Sequence, residues 1–420
     1  MPEDFDDPFK DIFKALSEVF KDESFDTPKP PMRGRKKPGS KYQERVTVNP
    51  GNPDTPPQYR YVYGKTSGSR TFPITDEQAA QLNTPEAQAG VKVIDALKQA
   101  GHEAYLVGGA VRDLLLGKSP KDYDVVTSAL PDDVKKVFPK VYAVGEQFAI
   151  TPVEMDGEWV EIATYRTETG YSDKRRPDEI KFADSLEDDA KRRDFTINGL
   201  YLDPVEGHVV DTVGGVEDLK NRTLKTIGKP EDRFNEDALR LMRAVRFAAN
   251  LGLQVDPETA KAVKKMSPNI KDISNERVRD ELLKMLTKGH ASRGLDLLDK
   301  SGLLKQILPE ISDLHGIKQP EKHHPEGDAY QHTKKVLKAL DTLKNPSMEL
   351  SLAALLHDIG KAKDTREEEG KIIAHGHDKT GAEMAEKVAE RLKLPRKSID
   401  RIKNLVNDHM EIGRASCRER

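Results

Sequence analysis

The hydrophobic pattern changes period along the chain. Phe9, Phe13, Leu16 and Phe20 are spaced as one face of a short helix, but the sequence to about residue 84 is rich in Pro, Gly, Asp and Lys and predicts a mostly flexible extension. Thr84 as N-cap, with Pro85 at the first helical position, starts a helix that runs to about Ala100 and gives way at Gly101. Short apolar runs then predict strands at Ala104 to Val107, around Tyr123 to Val126, around Phe148 to Val153 and around Trp159 to Ala163. From Asp232 onward the spacing is helical throughout, as in Asp237 to Phe247 and Glu276 to Leu286. The pattern predicts an α+β chain, a small sheet-bearing head followed by an all-helical body, with no internal repeat.

At 420 residues the chain has room for two or three domains of about 150 residues each. Its 69 basic and 72 acidic residues leave a net charge of -3, which neither favours nor excludes a nucleic-acid partner, so local charge has to decide. The segments Arg33-Gly34-Arg35-Lys36-Lys37 and Tyr59-Arg60-Tyr61-Val62-Tyr63 suit phosphate contact and base stacking, and equally suit a solvated linker. No apolar run approaches the roughly 20 residues that span a bilayer, and the acidic N-terminus lacks the positive flank of a signal peptide. No membrane partner and a cytoplasmic location are expected. Cys417 is the only cysteine, which excludes an intramolecular disulfide and a thiolate zinc cluster.

Chemistry concentrates in a few segments. Asp122-Tyr-Asp124 falls on a predicted strand, where the period of two sends both carboxylates to one face and lets them share divalent cations, Mg²⁺ being the natural choice beside substrate phosphates. Alone, such a pair equally fits a solvated strand edge. Gly108-Gly109 follows a strand and opens a helix, so backbone N–H groups can approach a triphosphate without a side chain in the way. Glu161, one acid on an otherwise half-buried strand, is a candidate third catalytic carboxylate or a salt-bridge partner. Arg192-Arg193-Asp194-Phe195-Thr196-Ile197-Asn198 mixes cations and hydrogen-bonding side chains suited to a nucleotide's ribose and phosphates. Asp237 and Arg240 lie three apart on a predicted helix, where they either present a fixed acceptor and donors to a base edge or simply pair with each other.

The order of these pieces resembles one family. Gly108 to Gly117, Asp122-Tyr-Asp124-Val-Val-Thr127, Arg192 to Asn198, Asp211 to Asp218, Glu236 to Arg240 with Arg243 and Arg246, and Glu276-Arg277 resemble the bacterial class II CCA-adding tRNA nucleotidyltransferases and their poly(A) polymerase relatives over about residues 85 to 310. The resemblance implies a polymerase-β-like head over 85–228 and a helical neck and tRNA-binding body over 229–315. It implies Asp122 and Asp124 as Mg²⁺ ligands, and a nucleotide site made of Gly108, Gly109, Arg112, Arg193, Asp194, Asn198, Asp237, Arg240, Arg243 and Arg246. Asp194 would read the ribose, Asp237 and Arg240 would pair with the incoming base, and the glycines of Asp211 to Asp218 would form a hinge. The implied partners are tRNA, CTP and ATP. The charged segment from Arg166 to Lys191 matches a family loop that accompanies adenine addition. A poly(A) polymerase or A-adding enzyme is the alternative within the family; a non-catalytic RNA-binding protein is the alternative outside it.

The C-terminal region has its own constellation. His332, His357-Asp358, His375-Gly-His377 and Asp408-His409 on helices suit a divalent transition metal that activates water for phosphoester hydrolysis, with His332, His357, Asp358 and His377 as the expected ligands. The spacing resembles an HD phosphohydrolase domain over 316–412, which would allow repair of tRNA ends beside nucleotide addition; a chain that is chiefly such a phosphohydrolase is the other alternative from a different class. Residues 413–420 read as a non-native tail, which would leave the HD domain truncated.

Overall fold

The computed structural model describes residues 70–142, 150–170, 179–320 and 324–418. The expected helix face from Phe9 to Phe20, the segments Arg33 to Lys37 and Tyr59 to Tyr63, and the middle of the Arg166 to Lys191 segment lie outside them.

The head is a sheet with helices packed on it. Its strands are β1 (Arg70–Pro73), β2 (Ala104–Val107), β3 (Val125–Thr127), β4 (Ile150–Met155), β5 (Glu158–Thr164), β8 (Leu200–Asp203) and β9 (His208–Asp211), in the order β1-β9-β8-β2-β3-β5-β4. Only the β3–β5 pair is parallel; every other neighbour runs antiparallel. β6 (Arg166–Thr169) and β7 (Glu179–Phe182) form a separate antiparallel pair. The extension expected to reach residue 84 is structured from Arg70 on, because β1 adds to the sheet edge beside β9 and a short helix at Asp76–Ala80 follows, started by a Thr75 and Gln78 capping box. Helix α1 (Pro85–Gln99) starts where Thr84 and Pro85 place it, the Thr84 side chain accepting from Ala87 N. Its buried Val93, Ile94 and Leu97 pack with Leu106, Val125 and Ile162 of the sheet.

After β2 the chain turns through Gly108 into α2 (Gly109–Leu115). Gly108 has φ 73 and ψ -125, a combination open in practice only to glycine. The short helix α3 (Leu186–Lys191) precedes the Arg192 to Asn198 run. After β9, Asp211 clamps the start of α4 (Gly215–Lys220): its two oxygens accept from the backbone N–H groups of Val213, Gly214, Gly215 and Val216. A Cβ at Gly215 would stand 2.1 Å from the Thr196 carbonyl oxygen. Gly215 thus serves close packing, and Gly214, at φ 83, takes the left-handed turn that starts the helix.

Helices follow from residue 230 on: α5 (Pro230–Glu236), α6 (Leu239–Leu251) and α7 (Asn275–Leu286), then α8 (Ala329–Leu340), α9 (Met348–Leu356), α10 (His377–Arg391) and α11 (Arg396–Arg418). One hydrophobic core runs from Phe195 and Ile197 through α6 and α7 to Ile402 and Val406 in α11. The helical region is not helical throughout. Gln254–Val255 pairs with Thr223–Leu224, and Arg366–Glu368 pairs with Lys371–Ile373 around Glu369 and Gly370, whose φ of 49 and 73 suit a tight hairpin turn. The last helix is continuous from Arg396 to Arg418. Among the described residues no helix is long and apolar enough to cross a membrane.

Candidate active site

Asp122 and Asp124 stand just before β3, not within a strand as expected, but the alternation that placed them survives. Tyr123 and Val125 turn inward while both carboxylates face solvent, and the Asp124 carbonyl accepts from Val107 N at 3.1 Å, which ties the segment to β2. The parallel register sets Val125 opposite Ile162, so Glu161 on β5 lies beside Asp124. Asp122, Asp124 and Glu161 line one groove of about 780 Å³. Although open to that groove, Asp124 is hemmed in by protein: desolvation, then Glu161, then Asp122 push its carboxyl above the ordinary range, against Arg193. Among the described residues no ion pair engages Glu161. Three carboxylates at neighbouring positions, with their repulsion largely unrelieved, fit a hard divalent cation.

Asp124 also lines a second pocket, of about 470 Å³, on the side of the helical region. There it meets Gly108, Gly109, Arg112, Arg193, Asp194, Asn198, Asp237, Arg240 and Arg243, nine of the ten nucleotide-site residues suggested by the sequence. Arg193 is held at Nε and Nη2 by buried Asp189 and the Tyr201 hydroxyl, while Nη1 comes within 3.8 Å of where a Cβ on Gly108 would stand. Burial opposes its charge, and Tyr201 and Asp189 nonetheless hold its pKa above the ordinary value. Arg112 Nη1 donates to Asn198 Oδ1 at 2.8 Å, and Asn198 Nδ2 donates to Asp194 Oδ1 at 3.0 Å. Arg240, Arg243 and Phe247 follow one another at helical spacing on α6, which turns both guanidiniums toward the pocket.

The structure departs from the sequence reading at four points. Asp237 is not on a continuous helix with Arg240: it sits in extended conformation, φ -145 and ψ 106, in the break between α5 and α6. Its partner is Arg277 of α7, whose Nη2 donates to Asp237 Oδ2 at 2.6 Å, while Arg240 pairs with Glu236 and donates to the Arg192 and Arg233 carbonyls. Arg246 does not line the pocket; it pairs with buried Glu281 and lies 4.0 Å from the Phe247 ring centroid. Leu239, Phe247 and Arg277 also line the pocket and were not among the residues the sequence reading placed in the nucleotide site. Arg112 and Arg243 each lie 5.2 Å from the Phe247 ring centroid, so one phenyl ring lies against three guanidiniums.

Asp194 is buried with both oxygens engaged, Oδ1 by Phe195 N and Asn198, Oδ2 by Arg243 Nε at 2.8 Å. Burial raises its pKa, but Arg243 and Asn198 outweigh burial and hold it at about 2 against an ordinary 3.8. A depressed carboxylate contributes stability above the unfolded value and loses it as pH falls through the folded one. Wild-type protein is therefore expected to lose about 2 kcal/mol from this group between about pH 4 and pH 2, by the 1.36 kcal/mol that each pKa unit represents. Asp194→Asn should flatten that part of the profile, and denaturation curves of the two proteins from pH 5 to 2 check it.

A second cluster lies in the C-terminal helices. His332 on α8, His357 and Asp358 just after α9, His377 at the start of α10 and His409 on α11 converge around the Asp358 carboxylate. Nδ1 of His357, His377 and His409 lies 2.9, 2.6 and 2.6 Å from the carbonyl oxygens of Ala354, Ala374 and Val406. A carbonyl only accepts, so each Nδ1 carries a proton, and in the neutral ring each Nε2 keeps a lone pair for a metal. Those three Nε2 atoms are buried without a hydrogen-bond partner; His357 Nε2 lies 3.2 Å from Asp358 Oδ2 without the alignment of a bond. Three imidazoles in that state, with His332 beside them and its Nδ1 on Glu326 Oε1, fit a divalent transition metal around one carboxylate. His332, His357, Asp358 and His377 meet as expected. The sequence reading left His409 out of its ligand set; the structure turns it into the cluster and leaves Asp408 exposed. Ile399, Ile402, Val406 and His409 form the buried stripe of α11, the spacing that separates the two.

Comparison with known proteins agrees with this layout. The poly A polymerase head domain family matches residues 104–225, the family described as the probable RNA and SrmB-binding site of polymerase A matches 252–314, and the HD domain family matches 329–419. Head and HD domain imply use of divalent metal. A CCA-adding enzyme of Lactobacillus helveticus is 44% identical over 234 residues, 56% of this chain and 57% of that protein. One from Geobacillus stearothermophilus is 45% identical over 228 residues, 54% of this chain and 56% of its own length. The chain thus spans little more than half the length of these relatives. The crystal structure of the Bacillus stearothermophilus CCA-adding enzyme in complex with CTP superposes with a TM-score of 0.51 at 33% identity, over 77% of this chain and 82% of that one.

Proposed function

The chain belongs to the CCA-adding enzyme family, and from that premise we propose that it adds C, C and A, from CTP and ATP, to the 3′ end of tRNA in the cytoplasm. The observation that carries the reading is that Asp124 stands in both the arginine-lined pocket and the carboxylate groove, so a nucleotide in one and an RNA end in the other would meet at that residue. The relative at 33% identity was solved with CTP, and the arginine-lined pocket of this chain suits the same ligand.

Asp122, Asp124 and Glu161 would hold Mg²⁺, which when bound neutralises charge on the triphosphate and favours ionisation of the attacking hydroxyl. Gly108 and Gly109 let the phosphates approach the backbone, and Arg112 and Arg193, pre-oriented by Asn198 and Asp189, offset their charge. Asp194 fixes Arg243, where the family pattern has it reading the ribose. Arg240, anchored on two carbonyls, and Asp237, anchored on Arg277, would present fixed donors and acceptors to the base. Cytosine and adenine satisfy such a set, while guanine and uracil leave buried groups unpaired.

The test supplies Mg²⁺, labelled CTP or ATP, and tRNAs ending before C, after one C or after both. Addition that stops after CCA is expected; a long A ladder would make the chain a poly(A) polymerase, and no incorporation would sink the proposal. The unpartnered imidazoles of the second cluster favour an additional reading, metal-assisted hydrolysis of phosphoesters at damaged RNA ends by His332, His357, Asp358, His377 and His409.

A further inference from the structure

The carboxylate groove ends in two exposed aromatics that the nucleotide chemistry above does not use. Tyr142 and Trp159 are 59% and 58% exposed, yet their rings meet edge to face with centroids 5.9 Å apart and an interplanar angle of 79°. Their placement follows from the sheet. Trp159 is two residues before Glu161 on β5, so both side chains leave the same face about 7 Å apart. Tyr142 is tied to the neighbouring strand, its N–H donating to the Pro152 carbonyl at 3.0 Å, and Pro152 pairs with Glu161. Both rings and the three candidate metal ligands line the same groove.

The groove's charge says what such rings are for. Glu86, Glu158 and the three carboxylates face it against one lysine, Lys121. A phosphate backbone gains little there from direct ion pairing, in contrast to the neighbouring pocket with its arginines. A base is recognised differently, because every base has a π-face and stacking on an aromatic ring needs no positive charge. Singly exposed aromatics are common, but an edge-to-face pair at the mouth of the carboxylate groove is a prepared surface.

We propose that Tyr142 and Trp159 form the platform on which the 3′-terminal base of the RNA acceptor stacks while its terminal hydroxyl faces Asp124. The proposal rests on the nucleotide-addition reading and assigns the two substrates to separate chambers, nucleotide beside the arginines and acceptor beside the rings. Trp159→Ala should raise the KM for RNA about tenfold, leave the KM for CTP unchanged, and be rescued by Trp159→Phe.

Trp159 is the only tryptophan in the chain, so its own fluorescence reports the contact. The experiment titrates a tRNA acceptor minihelix ending in CC, labelled at its 5′ end, into the full chain and follows anisotropy and tryptophan emission together. Emission should fall as anisotropy rises, should fall much less with a minihelix lacking the single-stranded 3′ end, and should stay constant with CTP and Mg²⁺ alone. Binding of the CC-ending RNA with unchanged emission, or equal quenching by the blunt stem, overturns the platform while leaving nucleotide addition untouched. Absence of any RNA binding overturns the reading beneath it.

Discussion

Asp124→Asn is expected to reduce nucleotide addition by at least about a thousandfold without unfolding the head. Metal-assisted charge stabilisation contributes several kcal/mol to such a transfer, and each 1.36 kcal/mol is a factor of ten in rate. Asp124 is the one candidate ligand in both chambers, so its loss removes the link between nucleotide and acceptor. The fold should not suffer, because the ionised carboxyl is already disfavoured by desolvation and by Glu161 and Asp122. The thermal midpoint should hold or rise slightly as the repulsion is relieved. Single-turnover addition and thermal unfolding on the same preparation separate the two effects. A variant that keeps a tenth of the wild-type rate would remove Asp124 from the catalytic centre.

Asp358→Asn should act elsewhere and in the opposite sense on stability. The carboxylate is buried among His332, His357, His377 and His409, and it also accepts from the Lys361 ammonium at 2.8 Å. Lys361 is itself buried, and besides Asp358 it donates to the neutral Gln319 Oε1 at 2.6 Å. Burial raises the Asp358 pKa, but the surrounding imidazoles and Lys361 hold it well below the ordinary value, so the group is a settled anion. Neutralising it strands a buried ammonium and costs about 3–5 kcal/mol, a large share of a typical domain's stability. Metal analysis of purified protein should show bound transition metal lost together with that stability. Nucleotide addition below the unfolding transition should be little changed. The double change with Lys361→Met should recover stability without recovering metal. If the single variant keeps both its metal and its midpoint, the cluster is neither a metal site nor a structural keystone.

What was legible beforehand was whatever the chain writes locally. The Gly108 turn, the Asp122 and Asp124 alternation and the Arg193 to Asn198 run are set by spacing within a few residues, and they reach the pocket walls from sequence alone. Partners chosen by packing were not legible. Asp237 finds Arg277 forty residues away, and Arg246 is drawn off the pocket by Glu281, because α7 lies across α6 and buries one acid against it. Phe247 belongs to the buried core and also lies against three arginines. His409 was separable from Asp408 by the apolar stripe of its helix, a signal present in the sequence and not used. β1 had no signal of its own: four residues ending in proline read as a strand only once β9 offers an edge.

That small strand also governs how the protein can be handled. β9 carries Val209 and Val210 between β8 and β1, and β1, with Arg70 at one end and Pro73 at the other, is a blunt border. Trimming the chain to the predicted start of the head, at residue 85, would leave the backbone groups of β9 unpaired along a valine-rich edge. Such a shortened protein should self-associate through its sheets, whereas one that begins a few residues before Arg70 should stay dispersed.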